Sequence, residues 1–264
     1  MSEYETLTLD ATRAGIVVLT LNRPHVHNAF NSVLIRELSD VLDMLADQDG
    51  LRLVILRGAG KSFSAGADLT WMKAAAGWSQ EDNEADALAL AEMLRKLAEL
   101  PQMTLALVQG AAMGGGAGLV AACDIAVAMK GTKFRFSEVR LGLTPATISP
   151  FVLRAIGPRW AKALFVSADM FDAAFAEQIG LVQYVVEDAN DMATMEEHLG
   201  ALAMSAAPGA IRDAKALVLD LDGAPLSPAL SQETSRRIAA RRISDEGREG
   251  LTAFLDKRKP DWAG

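Results

Sequence analysis

Five glycines crowd into the nine residues from Gly110 to Gly118, directly after the apolar run Thr104 to Val108. A run of strand length that ends in glycines and continues as Leu119-Val120-Ala121-Ala122 reads as a strand turning into a helix. Glycine lets the backbone bend tightly there and leaves amide N–H groups bare at the helix start. Those amides carry partial positive charge and attract an anion, or a carbonyl oxygen that is becoming one. A bare donor in an apolar setting is what an oxyanion site requires. The same composition also suits a tight strand-to-helix crossing inside a core, and this stretch alone leaves both readings open. The whole segment from Leu105 to Met129 has the length and apolarity of a membrane span. Its five glycines, with Gln109 and Asp124, argue against one.

A second loop repeats the arrangement. Gly58 to Asp68, GAGKSFSAGAD, follows the apolar run Leu51 to Leu56 and precedes helical residues from Leu69. Two such turns can aim two backbone donors at one atom. Neither reads as a Walker-type phosphate loop. The turn Gly114 to Gly118 also misses the dinucleotide spacing, because Leu119 stands where the third glycine belongs.

The elements that must hold these loops follow from the hydrophobic periods. Tyr4 to Asp10 and Gly15 to Leu21 read as a hairpin turning at Ala11 to Ala14. Leu34, Leu38, Val41, Leu42 and Leu45 make a helical stripe with Asn31 as its cap. Lys73 to Asp86 reads as a polar connection or mobile flap broken at Gly77, and Ala87 to Leu100 as a helix ended by Pro101. Ile125 to Met129, Lys133 to Phe136 and Leu181 to Glu187 read as strands. Thr147 to Ile156, Pro158 to Ser167 and Asp172 to Ile179 read as helices. Beyond about Asn190 the chain reads as wholly helical: Met192 to Ser205, Pro208 to Leu221, Ser227 to Ile243 and Asp245 to Lys257. That shift divides an α/β region, residues 1–190, from a helical region, residues 191–264.

The 264 residues carry a formal charge of −8 with a pI near 5.0, which disfavours nucleic acid as partner. One cysteine, Cys123, allows no intrachain disulfide and fits a reduced compartment. The N-terminus, MSEYETLTLD, lacks a basic stretch followed by an apolar run, so a cytoplasmic protein without a membrane association is expected. Three histidines and one cysteine are too few to suggest a metal, even with His25 and His27 close together.

Three segments together resemble the crotonase (enoyl-CoA hydratase/isomerase) family over essentially the whole chain. They are Asn22-Arg23-Pro24 with Asn28-Ala29, Phe63-Ser64-Ala65-Gly66-Ala67-Asp68-Leu69, and Gly110 to Asp124 followed by Ser137-Glu138. The tail Phe254-Leu255-Asp256-Lys257-Arg258-Lys259 adds to the likeness. SEVRLGLTPATISPFV, from Ser137, is most similar to bacterial hydratases acting on methylglutaconyl-CoA in leucine degradation. The resemblance implies a spiral of ββα units, a helical C-terminal region that drives trimers or hexamers, and an acyl-CoA substrate with no separate cofactor.

By position, the resemblance makes the N–H groups of Ala67 and Gly115 the oxyanion hole and Glu138 the acid/base carboxylate. His25, Val26, Ala65, Gly66, Asp68 and Leu69 match CoA-contacting positions. Phe254 and Lys257 match tail positions that reach a neighbouring subunit's CoA. Arg140 and Arg154 are candidates for meeting a carboxylate on the acyl chain. The family's second glutamate position falls on Gly118, so half of the usual pair is missing. Enoyl-CoA hydration by Glu138 alone is the leading expectation. The alternatives are a Δ3,Δ2-enoyl-CoA isomerase, a second acid drawn from Glu81, Asp82, Glu84 or Asp86, and a non-catalytic acyl-CoA-binding or RNA-binding member. The helix Ser32 to Asp49 has Arg36 but four Asp and one Glu, which disfavours RNA.

Overall fold

The computed structural model describes residues 4–263. Residues 1–3 of the N-terminal reading and Gly264 of the helical region lie outside the described residues. Nine strands form in chain order: β1 (Leu7–Arg13), β2 (Ile16–Leu21), β3 (Leu53–Gly58), β4 (Met103–Val108), β5 (Ala111–Met113), β6 (Ile125–Met129), β7 (Lys133–Arg135), β8 (Phe171–Asp172) and β9 (Tyr184–Val186). The helices are α1 (Ser32–Ala46), α2 (Leu69–Ala75), α3 (Gln80–Glu99), α4 (Gly115–Ala122), α5 (Ser149–Ser167), α6 (Ala173–Gln178), α7 (Ala189–Ser205), α8 (Pro208–Leu221), α9 (Pro228–Ile243) and α10 (Asp245–Leu255).

Six strands make one sheet in the order β1-β2-β3-β4-β6-β9, all parallel except the β1–β2 hairpin. A smaller sheet, β5-β7-β8, lies beside it, and bridges between Phe30 and Ala67 and between Ser64 and Ala112 continue its line. Each main strand therefore passes through a short extended step before its helix: β2 through Phe30 to α1, β3 through Ser64 and Ala67 to α2, β4 through β5 to α4, and β6 through β7 to α5. This repetition is the spiral of ββα turns.

The parallel strands β2, β3, β4 and β6 are mostly apolar, broken only by Thr20, Arg57 and Thr104, because both faces of the sheet are covered. Val17, Leu19, Val54, Leu56, Ala106 and Val108 pack with Leu34, Leu38 and Leu42 of α1, Leu94 of α3 and Leu119 of α4. The alternate residues, among them Ile16, Leu53, Ile55, Leu105 and Val127, pack with Leu199 and Ala203 of α7.

The hairpin turns later than the sequence suggests. β1 runs on to Arg13, its register slips between Asp10 and Arg13, and Gly15 reverses the chain at φ +72°. The segment Lys73 to Asp86 is not a loose connection. α2 occupies its start, and α3 begins at Gln80, where the Ser79 hydroxyl accepts the Asp82 N–H. The two helices expected over Thr147 to Ser167 become one run, Ser149–Ser167, broken at Gly157 (φ 71°, ψ 163°), just before Pro158.

The first two loops are joined by Asn28, which is fully buried. Its side-chain amide donates to Ala59 O (2.9 Å) and Ser62 O (2.8 Å), and its Oδ1 accepts Arg23 N–H (2.9 Å). The Ser64 hydroxyl returns the link by donating to Asn28 O at 2.9 Å. Asn28 holds φ +55°, a conformation asparagine tolerates better than alanine. Asn28→Ala leaves one buried and two partly buried groups unpaired, at roughly 1–3 kcal/mol for each that stays shielded from water. Denaturant unfolding should show a loss of at least about 2 kcal/mol, and a loss within experimental error of zero would contradict this account.

Candidate active site

Two strand-to-helix crossings meet at one cavity of about 840 Å³. In the first, Phe30 N–H donates to Gly66 O (2.6 Å) and Asp68 N–H donates to Phe30 O (2.8 Å). The bridge thus uses the groups on either side of Ala67, and in an extended chain the intervening N–H points the other way. In the second, Gly114 N–H donates to Arg135 O (2.9 Å), and the next amide, Gly115, is the first of α4. Among the described residues neither the Ala67 nor the Gly115 N–H has a protein acceptor, and both residues line the cavity.

Glycine is required where the crossings touch. A Cβ on Gly66, at φ +86°, would stand 2.8 Å from Met113 O. A Cβ on Gly115 would stand 2.5 Å from the buried Phe30 ring. Phe30 therefore braces the α4 start, and sequence reasoning missed it because a lone Phe after Asn28-Ala29 carries no motif.

Glu138 opens a single 3₁₀ turn, Glu138–Leu141, and lines the same cavity. Its Oε1 would lie 3.1 Å from a Cβ on Gly114, so the bare glycine makes room for the carboxylate. Its Oε2 is buried without a hydrogen-bond partner. Burial pushes the Glu138 carboxyl above the ordinary range, opposed by a backbone hydrogen bond. A half-buried carboxylate with a free oxygen, in a cavity with two free amides, can pass a proton to and from a bound molecule whose oxygen gains charge.

Gly118 sits one turn into α4 and is buried. A Cβ there would fall 2.4 Å from Ile148 Cγ2 and 3.8 Å from Leu94 Cδ1. The space for a second glutamate is filled from outside the helix.

The other expected residues divide. Ala65, Gly66 and Leu69 line the cavity, with Leu69 82% exposed at its edge. Asp68 does not line it: its carboxylate caps α2 through Thr70 N–H (2.8 Å) and pairs with Arg23 (3.0 Å). Burial raises the Asp68 carboxyl, but those bonds hold it below the usual range on balance. His25 and Val26 form the 3₁₀ turn before α1, outside the cavity lining. Arg154 lies outside the lining of this cavity. It pairs with Asp222 (3.3 Å) beside Val120, Cys123 and Lys215, in a different depression. Arg140 is exposed and also outside the lining, because its 3₁₀ turn presents Glu138 and Leu141 inward instead. Phe254, 80% exposed, and Lys257 stand outside the cavity of their own chain. Of the acids before Ala87, only Asp86 lines the cavity; Glu81, Asp82 and Glu84 are exposed elsewhere. Cys123 is packed against the core, and burial pushes its thiol up to about 12.

The fold is an α/β spiral whose cavity holds two unpaired backbone amides and the carboxylates of Glu138 and Asp86. The enoyl-CoA hydratase/isomerase family model matches residues 11–264. A crotonyl-CoA hydratase of Syntrophomonas wolfei is 33% identical, covering 98% of each chain. A short-chain-enoyl-CoA hydratase of Clostridium acetobutylicum is 33% identical over 92% of each. The crystal structure of an enoyl-CoA hydratase from Shewanella pealeana superposes with TM-score 0.94 at 38% identity, covering 98% of this chain and 97% of that one. The chain belongs to the enoyl-CoA hydratase/isomerase family.

Two outcomes follow from this geometry. Gly→Ala inside a helix ordinarily gains about 0.5–1 kcal/mol, but at Gly118 the contact with Ile148 should reverse the sign. A loss of about 1–3 kcal/mol is expected from overpacking, and a double-mutant cycle with Ile148→Ala should show the two changes partly compensating. An unfolding midpoint raised by Gly118→Ala would refute the contact. Glu138, with a folded pKa raised above 4.5, favours the fold below its unfolded pKa and loses that contribution as pH rises through the folded value. The stability of Glu138→Gln relative to the parent should therefore grow as pH rises from about 4 to 8. Thermal unfolding across that range checks it, and a flat difference would count against the buried carboxylate.

Proposed function

We propose that this enzyme adds water across the double bond of a short, branched enoyl-CoA, with the Ala67 and Gly115 amides gripping the thioester oxygen and Glu138 moving the proton. One observation carries the reading: two unpaired amides and one unpaired carboxylate oxygen belong to the same cavity. Withdrawing electrons into the thioester C=O leaves C3 open to attack and C2 basic. Ionised Glu138 takes a proton from water as the water oxygen bonds to C3. The thioester oxygen holds the enolate charge against the two amides until Glu138 returns the proton to C2. Water is consumed, and the carboxylate ends as it began. CoA enters as part of the substrate, and the chemistry needs no further cofactor.

The sequence likeness to methylglutaconyl-CoA hydratases implies a branched and carboxylated chain. A carboxylate needs a cation, and no Lys, Arg or His lines this cavity, so a neutral branched chain has the better support. A second reading, Δ3,Δ2 isomerisation, is favoured by the blocked Gly118 position, because shifting a double bond needs one shuttled proton and no water. We also propose self-association through the helical region, where Val218, Leu251, Phe254 and Leu255 are exposed apolar residues. That association would bring Phe254 and Lys257 to a neighbour's CoA. The chain is read as cytoplasmic and unassociated with membranes or nucleic acid; among the described residues no helix is long and apolar enough to cross a membrane.

Turnover of enoyl-CoA thioesters in H₂¹⁸O separates the two reactions. Label in a 3-hydroxyacyl-CoA is expected, whereas a shifted double bond without label would replace hydration by isomerisation. Glu138→Gln should lower kcat/KM about 10²–10⁴-fold, and full activity in that variant would overturn the role. Because Glu138 acts as the ionised base, parent kcat/KM should fall with decreasing pH along a limb centred above 4.5. Gly115→Pro would remove the amide donor but also strike Phe30, so it does not isolate the N–H.

A further inference from the structure

α3 presents Asn83, Asp86, Ala87 and Leu90 to the cavity, a stripe at helical spacing. One turn beyond Leu90, Leu94 reaches toward the Gly118 position. Asp86 precedes Leu94 by eight residues, roughly 12 Å along the helix axis. That offset is too great for Asp86 to stand in for the missing glutamate beside Glu138. It places Asp86 farther along the same wall, in a stretch that an acyl chain could occupy with its thioester held at Ala67 and Gly115.

The Asp86 carboxylate is fixed there. Its Oδ1 accepts the indole N–H of Trp71 on α2 at 3.2 Å, and Trp71 also lines the cavity. Among the described residues no Lys, Arg or His pairs with it, and of those that line the cavity only Asp86 and Glu138 carry carboxyl groups. Burial raises its carboxyl above the ordinary range, against the pull of the Trp71 bond. Negative charge held without a cation in a partly dry cavity repels a second negative charge more strongly than water would allow. Discrimination by such a repulsive element is a common route to specificity.

Resting on the enoyl-CoA reading of this cavity, we propose that Asp86 sets the charge of the acyl chain admitted, turning away chains that end in a carboxylate. Neutral chains, straight or branched, pass Trp71 and Leu90; a dicarboxylic acyl group meets Asp86 with no counter-ion.

The test is calorimetric binding of butyryl-CoA and glutaryl-CoA, which carry the same CoA and differ in the charged end. The full-length parent should bind glutaryl-CoA at least about tenfold more weakly. Asp86→Asn keeps an Oδ1 acceptor for Trp71, so the fold is preserved, and it should narrow the ratio of the two Kd values about tenfold. Glu84→Gln removes an exposed charge from the same helix and should leave the ratio unchanged. An unaltered ratio in Asp86→Asn, or an equal narrowing in Glu84→Gln, overturns the proposal. If the parent binds neither thioester, the enoyl-CoA reading itself fails and takes this inference with it.

Discussion

Everything at the site depends on how closely two backbone crossings approach one another. Gly66 lies against Met113 O, Gly115 against the Phe30 ring, and Gly116 against Ser64, each at a separation that leaves no room for a β-carbon. Such contacts are possible only because the flanking strands and bridges leave the chain no other path. Asn28 locks the first loop to the second from beneath, and the Phe30 bridge aligns Ala67. The result is two amides without protein acceptors held at one cavity, and on the proposed reading such a pair would need little rearrangement when charge develops.

Against that fixed frame stands a deliberate electrostatic imbalance. The cavity holds two carboxylates and no cation, an arrangement the fold would be more stable without. Glu138 keeps a bare oxygen where a structural residue would find a partner, while Asp68, the residue after Ala67, caps a helix and is ion-paired as structural carboxylates usually are. The two acids thus differ in their partners far more than their positions in the sequence suggest.

Much of this was legible in the residues. The glycine-rich crossings, the parallel apolar strands, the Asn31-capped helix and the wholly helical tail follow from period and turn chemistry, and α8 begins and ends where Pro208 and Leu221 predict. The segment before Ala87 was misread because its polarity masked a helix, although Ser79 followed three residues later by Asp82 is a usable start signal. β5 went unrecognised because three residues between glycines carry no period. Arg154 looked like a ligand for a carboxylate because charge alone gives no direction; only the turn of α5 shows that it faces Asp222. The plugging of the Gly118 position by Ile148 depends on residues thirty apart in sequence, beyond any local pattern.

The helices that follow β9 have a consequence for the whole molecule. Leu199 and Ala203 of α7 lie on the face of the sheet opposite α1 and α4, and Arg52, just before β3, donates both to Met204 O and to Trp262 O at 2.6 Å. The segment around Trp262 is thus tied to the residue before an early strand, and the change of architecture near residue 190 does not divide the interior. A chain shortened there would bare a broad aliphatic surface of Ile16, Ile55, Leu105 and Val127, the kind of surface that drives aggregation instead of autonomous folding.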